Sequence, residues 1–163
     1  MQPQEKKVEQ DMQTFLPFYD FKFSAQCLDN KRLGKQRVEA WQLLRSIKGI
    51  TTGWRHHPAS VMWQGHEQAL VHYGMVISAE WEERGFKDSM FDRFEGEFDG
   101  DFDYEEPWWL GLEEFHISHQ SNLLRKDPIH YREFNVPNNL PYMWCKPDGS
   151  IIYGAKNKSL NHI

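Results

Sequence analysis

The chain has 163 residues, enough for one domain with a real core and too few for two, and 15% of them are aromatic, including seven Trp and eleven Phe. No apolar run approaches the roughly eighteen residues of a membrane span, and a start containing Glu5, Lys6 and Lys7 has no signal-peptide core, so a soluble, cytoplasmic protein is expected. Two cysteines, Cys27 and Cys145, exclude a disulfide framework and a cysteine zinc site, and a net charge of −5 argues at first against a polyanionic partner.

Residues 1–11 are polar and aperiodic and are expected to form a flexible N-terminal extension ahead of a single domain over 12–163. Behind the apolar stretch Phe15 to Phe18, Ser24 is placed as the N-cap of a first helix running to Ile47 and stopped by Gly49. Leu33, Val38, Trp41, Leu44 and Ile47 offer its apolar side, while Lys31, Lys35 and Glu39 recur at i, i+4, i+8 on another. A second helix starts at Pro58 and runs to Glu83 before Arg84-Gly85; Gly65 and Gly74 within it suggest close helix contact. From Asp92 to Glu106 eight acidic residues and Arg93 give a local charge of −7, which leaves +2 on the rest and reads as an exposed acidic loop. A third helix spans Leu112 to Arg125, ended by Asp127-Pro128, and the turn at Cys145 to Ser150 can join two short strands. The fold class is therefore mainly α: a single compact domain of three principal helices with an acidic loop and a small C-terminal turn or hairpin.

Three blocks carry a resemblance. LDNKRLGKQRVEAWQLL (Leu28–Leu44), the long HHPASVMWQGHEQALVHYGMVISAEWEERGF (His56–Phe86) and SHQSNLLRKDPIHY (Ser118–Tyr131), in this order, resemble the first, central and last helices of the pyrimidine-dimer DNA glycosylases of the phage endonuclease V family. The resemblance spans about 14 to 134 and implies a DNA glycosylase of base-excision repair type, possessing or lacking AP-lyase activity, that flips a base out of double-stranded DNA. It implies catalytic roles for Arg37 and Glu39, although Glu39 stands two residues after Arg37 where the family's pair is adjacent. In that family the attacking amine belongs to an N-terminal threonine; here the matching Thr14 lies behind residues 1–11, so Lys31 or Lys35 as imine former, or Glu39 or Asp29 activating water, are the other routes. Hydrolysis is preferred, since an unperturbed lysine amine is protonated near neutral pH.

Lys31, Arg32, Lys35, Arg37 and Arg45 form the densest basic set and are read as phosphate contacts, with His57, His119, Arg125 and Lys126 as further DNA-binding positions. Trp108 and Trp109 are placed to stack on a displaced base. Eight histidines contain no HExxH run, and the alternating acids from Asp99 lack the glycine and glutamate of a calcium loop, so no metal or other cofactor is expected. The partner is double-stranded DNA with a damaged or modified base, and the protein is expected to be a monomer. Two competing readings are a glycosylase of this fold for another modified base and a catalytically silent DNA-binding module.

Overall fold

The computed structural model describes residues 12–154, so the extension over 1–11 lies outside the described residues. Among the described residues there are six helices and one hairpin: α1 Phe21–Cys27, α2 Asn30–Ile47, α3 Pro58–Trp63, α4 Glu67–Glu83, α5 Met90–Glu97, α6 Glu113–Lys126, β1 Met143–Cys145 and β2 Ile151–Tyr153. The fold is mainly α, as the periodicity implied. Its three long helices correspond to the three expected ones, but two of these are split and a sixth helix stands where none was expected.

The splits have local causes. The helix expected from Ser24 breaks at Leu28 and Asp29, both extended, because the Asp29 carboxylate accepts the Arg32 amide and starts α2 afresh. Ser24 lies inside α1, where its hydroxyl pins the incoming chain by bonding both the amide and the carbonyl of Phe18. The expected helix 58–83 is interrupted at Gln64–His66, where Gly65 has φ +83°, so this glycine makes a turn instead of a helix contact. Gly74 does make the close contact: a Cβ there would lie 2.2 Å from the Phe94 ring. That ring belongs to α5, which occupies the first half of the presumed acidic loop. Met90 and Phe94, one turn apart, are buried while Asp92, Arg93, Glu95 and Gly96 stay at the surface, so an amphipathic pattern was hidden beneath the charge.

The core lies where α2, α4 and α5 pack together, with α6 and β1 closing another side. Trp63 and Trp109 are fully buried edge to face, whereas Trp81 is only half-buried. Residues 12–17 cross this core as buried non-helical chain. With no strand beside them, their main-chain groups are satisfied by side chains. Phe15 N donates to Gln36 Oε1 (2.7 Å), Leu16 N to His119 Nδ1 (2.9 Å), and Leu16 and Pro17 carbonyls accept from His116 Nδ1 (2.7 Å) and Gln120 Nε2 (2.8 Å). The expected hairpin forms, with β1 and β2 antiparallel and Trp144 opposite Ile152.

Candidate active site and basic ridge

At about 100° per residue, α2 turns Leu33, Gln36, Ala40, Leu43 and Leu44 into the core and leaves Lys31, Lys35, Val38 and Gln42 exposed on the opposite side, with Arg45 half-exposed beside them. The exposed side is a ridge with a shallow groove of about 480 Å³ over it, lined by Lys31, Gly34, Lys35, Arg37, Glu39 and Trp81 among others. Lys31, Lys35 and Arg45 thus share one accessible surface, which the expected phosphate contacts require.

Glu39 sits on one flank of the ridge, its side chain 13% exposed. Its Oε1 accepts from the main-chain N of Gln13 (3.3 Å) and lies 3.5 Å from Gln36 Nε2, while Oε2 is 3.8 Å from Lys35 Nζ. Behind it, Gln36 Oε1 also meets the Tyr73 hydroxyl (2.8 Å), whose pKa is pushed well up, first by burial and then by the charge of Glu39. A carboxylate is therefore held at the base of a basic ridge by the chain entering the core. The residue whose main chain meets it is Gln13, not Thr14: Thr14 is fully buried, its hydroxyl accepts from Trp63 Nε1 (3.0 Å), and its own amide is taken by Gln13 Oε1 (2.9 Å).

Arg37 is not beside Glu39. Two residues on a helix stand roughly 160° apart around its axis, so Arg37 leaves by the opposite flank. There its guanidinium lies 4.8 Å over the Trp81 ring, and Nη1 is 3.1 Å from Asp88 Oδ1. Trp81 is also stacked with Phe86 at 4.0 Å between centroids, and Gly34 leaves room for the indole, since a Cβ there would lie 2.9 Å from it. The basic group on the Glu39 flank is Arg32, bound to Asp29 at 3.2 Å. Asp29 also accepts from the Tyr131 hydroxyl, and the two partners together hold its pKa below the usual carboxylate value although burial opposes them. With its oxygens engaged in capping α2, Asp29 is a structural acid more than a water-activating one.

The remaining positions fall apart in space. His119 is completely buried, its pKa driven well down first by burial and then by the nearby His116, so it holds Leu16 and offers no exposed atom to DNA. His57 caps α3, its Nδ1 accepting from Ala59 N (3.0 Å), and packs edge-on against Trp54 and Trp144. Arg125 reaches back to the Asn138 carbonyl and Asn122, and burial lowers its pKa; its neighbour Lys126 is exposed. Trp109 is buried with Nε1 on the Met62 carbonyl (3.2 Å) and cannot stack on a base, while Trp108 is 40% exposed with its Nε1 bonded to Lys146 O (2.7 Å). The remaining acidic stretch docks on α4 and Tyr19, through Gln68 to Asp99 N, His72 to Tyr104 and Tyr19 to Glu106, and so leaves the ridge clear. Among the described residues no group of three His, Cys, Asp or Glu is arranged to hold a metal, and no helix is long and apolar enough to cross a membrane.

Sequence reasoning missed Gln13, Gln36, Trp81 and Asp88. Only Gln36 carried a signal, as a polar residue on the core side of α2 that a buried main chain could use.

Comparison with known proteins gives one positive finding. The family model for pyrimidine dimer DNA glycosylase matches residues 12–94, which take in the buried entry segment, α1 to α4 and the Arg37–Asp88 pair. The block Ser118–Tyr131, part of the sequence resemblance, lies outside that match. No curated protein and no solved structure matches the chain.

Proposed function

The chain belongs to the pyrimidine dimer DNA glycosylase family, and on that premise we propose that it excises a damaged pyrimidine from duplex DNA by hydrolysis, with Glu39 as the group that activates water. The observation that carries this reading is the recessed Glu39 carboxylate on the flank of a ridge bearing the exposed Lys31 and Lys35 and the half-exposed Arg45. Phosphates on the ridge bring the backbone to α2, and a nucleotide turned out of the stack brings its sugar to the flank below. There a Glu39 oxygen takes a proton from water as the water oxygen bonds C1′. The C1′–N bond breaks, and the base leaves with the electron pair and is protonated in turn.

A second chemistry is favoured by one distance. Gln13 N lies 3.3 Å from Glu39 Oε1 and is an unreactive amide in the chain as it stands. In a chain starting at Gln13 it is an α-amine beside a carboxylate, suited to forming an imine with the sugar and so to lyase cleavage. Lys35 Nζ, 3.8 Å from the same carboxylate, is the internal alternative.

The test is incubation of the full chain with UV-irradiated and untreated plasmid, with nicks counted before and after alkali. Hydrolysis predicts nicks only in irradiated plasmid and only after alkali. Nicks without alkali point to the lyase route. Inactivity here with activity on another base lesion reassigns the substrate, and binding without cleavage of any damaged substrate leaves a DNA-binding module. Glu39→Gln is expected to lower base release by about 10² to 10⁴-fold while binding persists; wild-type turnover in this variant removes Glu39 from the mechanism.

A further inference from the structure

Arg37 and Asp88 make an incomplete ion pair. A guanidinium and a carboxylate can form two parallel hydrogen bonds, yet only Nη1 to Oδ1 is made here, at 3.1 Å. Arg37 Nε and Asp88 Oδ2 are both buried without a partner among the described residues. The arginine is nevertheless held in one orientation by the Trp81 face, and its side chain keeps 22% exposure where it lines the groove. A half-satisfied pair of this kind gives up less than a complete one does when its carboxylate is replaced by an acceptor placed to make both hydrogen bonds. A DNA phosphodiester carries the same single negative charge as the carboxylate it would replace and likewise offers two oxygens to a guanidinium fork.

Access to Arg37 depends on the shape of the DNA. Lys31, Lys35 and Arg45 crown the ridge and meet any duplex resting on it, whereas Arg37 lies down the flank opposite Glu39. A backbone that rests on Lys31 and Lys35 must extend down that flank to meet Arg37 as well. Damage weakens stacking and pairing and makes that deformation cheaper.

We propose that Asp88 is a phosphate stand-in: it holds Arg37 in the free protein and yields it to a DNA phosphate only when a deformed duplex wraps the flank of α2. The pair thereby discriminates damaged from undamaged DNA. This rests on the DNA-acting function proposed above. Asp88 is a positioning residue and touches no reacting atom.

The experiment measures binding of the full chain to two duplexes of one sequence, undamaged or carrying a single abasic-site analogue, across a salt series. Each phosphate contact contributes about 0.9 to the slope of log K against log salt. Asp88→Asn, nearly isosteric, is expected to steepen the slope by about 0.9 on undamaged duplex and leave the abasic slope unchanged, because the released arginine now reaches a phosphate without deformation. Arg37→Ala is expected to flatten the slope by about 0.9 on the abasic duplex alone, and the double variant to behave as Arg37→Ala on both. An unchanged undamaged slope in Asp88→Asn, or a steepening that survives Arg37→Ala, overturns the proposal. If Asp88→Asn fails to fold, Arg37→Ala decides alone, since equal losses on both duplexes, or none, also overturn it. Wild-type protein that binds neither duplex defeats the DNA-acting reading itself. Binding to both with slopes indifferent to Arg37 and Asp88 defeats only the discrimination.

Discussion

The segment that brings Gln13 to Glu39 is held by two histidines that must stay neutral, so acid should loosen it. His116 Nε2 accepts from Gly111 N (2.9 Å), which leaves the proton on Nδ1 for the Leu16 carbonyl, and His119 Nδ1 accepts from Leu16 N. Burial lowers the pKa of both, that of His119 far the more, and lowers that of the half-buried His72 in the same direction. In the unfolded chain each titrates near about 6.5. Below that value the unfolded state takes up protons that the native state refuses, so stability is intact above it and declines as pH falls toward the depressed native values. For His119 alone, going from about pH 7.5 to about pH 5.5 removes about 1.4 kcal/mol, with His116 and His72 adding to the loss. At a urea m-value of about 2 kcal/mol/M this lowers the midpoint by about 0.7 M or more. The assay is urea unfolding followed by tryptophan fluorescence across that pH range, for wild type and His119→Asn. An Asn side-chain oxygen can accept the Leu16 amide without titrating, so the variant should lose about one proton's share of the pH slope. A midpoint that is flat or rises on acidification, or an identical slope in His119→Asn, refutes the account of a neutral clamp.

Gly74→Ala places a methyl group 2.2 Å from the Phe94 ring and is expected to cost about 1 to 3 kcal/mol by thermal melting, largely recovered by Phe94→Leu; unchanged stability means α5 does not lie against α4 as described. Lys35→Ala, at the crown of the ridge, should flatten the salt dependence of binding by about 0.9 on damaged and undamaged duplex alike, and an unchanged slope moves DNA to another surface. Borohydride added during turnover should trap no covalent complex with the full chain, whereas a chain starting at Gln13 should be trapped through its terminal amine. Peptide mapping of a full-chain adduct to Lys35 replaces hydrolysis with an internal-lysine imine, and an adduct at the terminal amine of the intact chain shows that residues 1–11 reach the site.

Much of the fold was legible because helices announce themselves by periodicity and by caps. Residues 30–47 repeat their apolar positions at helical spacing, Gly49 ends that helix with φ +80°, and Asp127-Pro128 ends α6. The clustering of Lys31, Lys35 and Glu39 toward one side of α2 follows from the same spacing, since it is set by helical geometry within one element. What the sequence could not decide concerns partners distant along the chain. Whether Gly65 packs or turns depends on its backbone angle, and whether 90–97 is loop or helix depends on Gly74 offering Phe94 a slot on another element. Arg37 and Glu39 look like neighbours in sequence, yet they depart from α2 on opposite flanks, one toward Trp81 and Asp88 and the other toward Gln13. The local spacing fixes the directions in which side chains leave a helix, but the groups waiting there are chosen by packing among residues 26 to 51 positions away. Only the tertiary structure could therefore show that a backbone nitrogen of the entering chain lies against Glu39 Oε1, while Lys35 of α2 stands near Oε2.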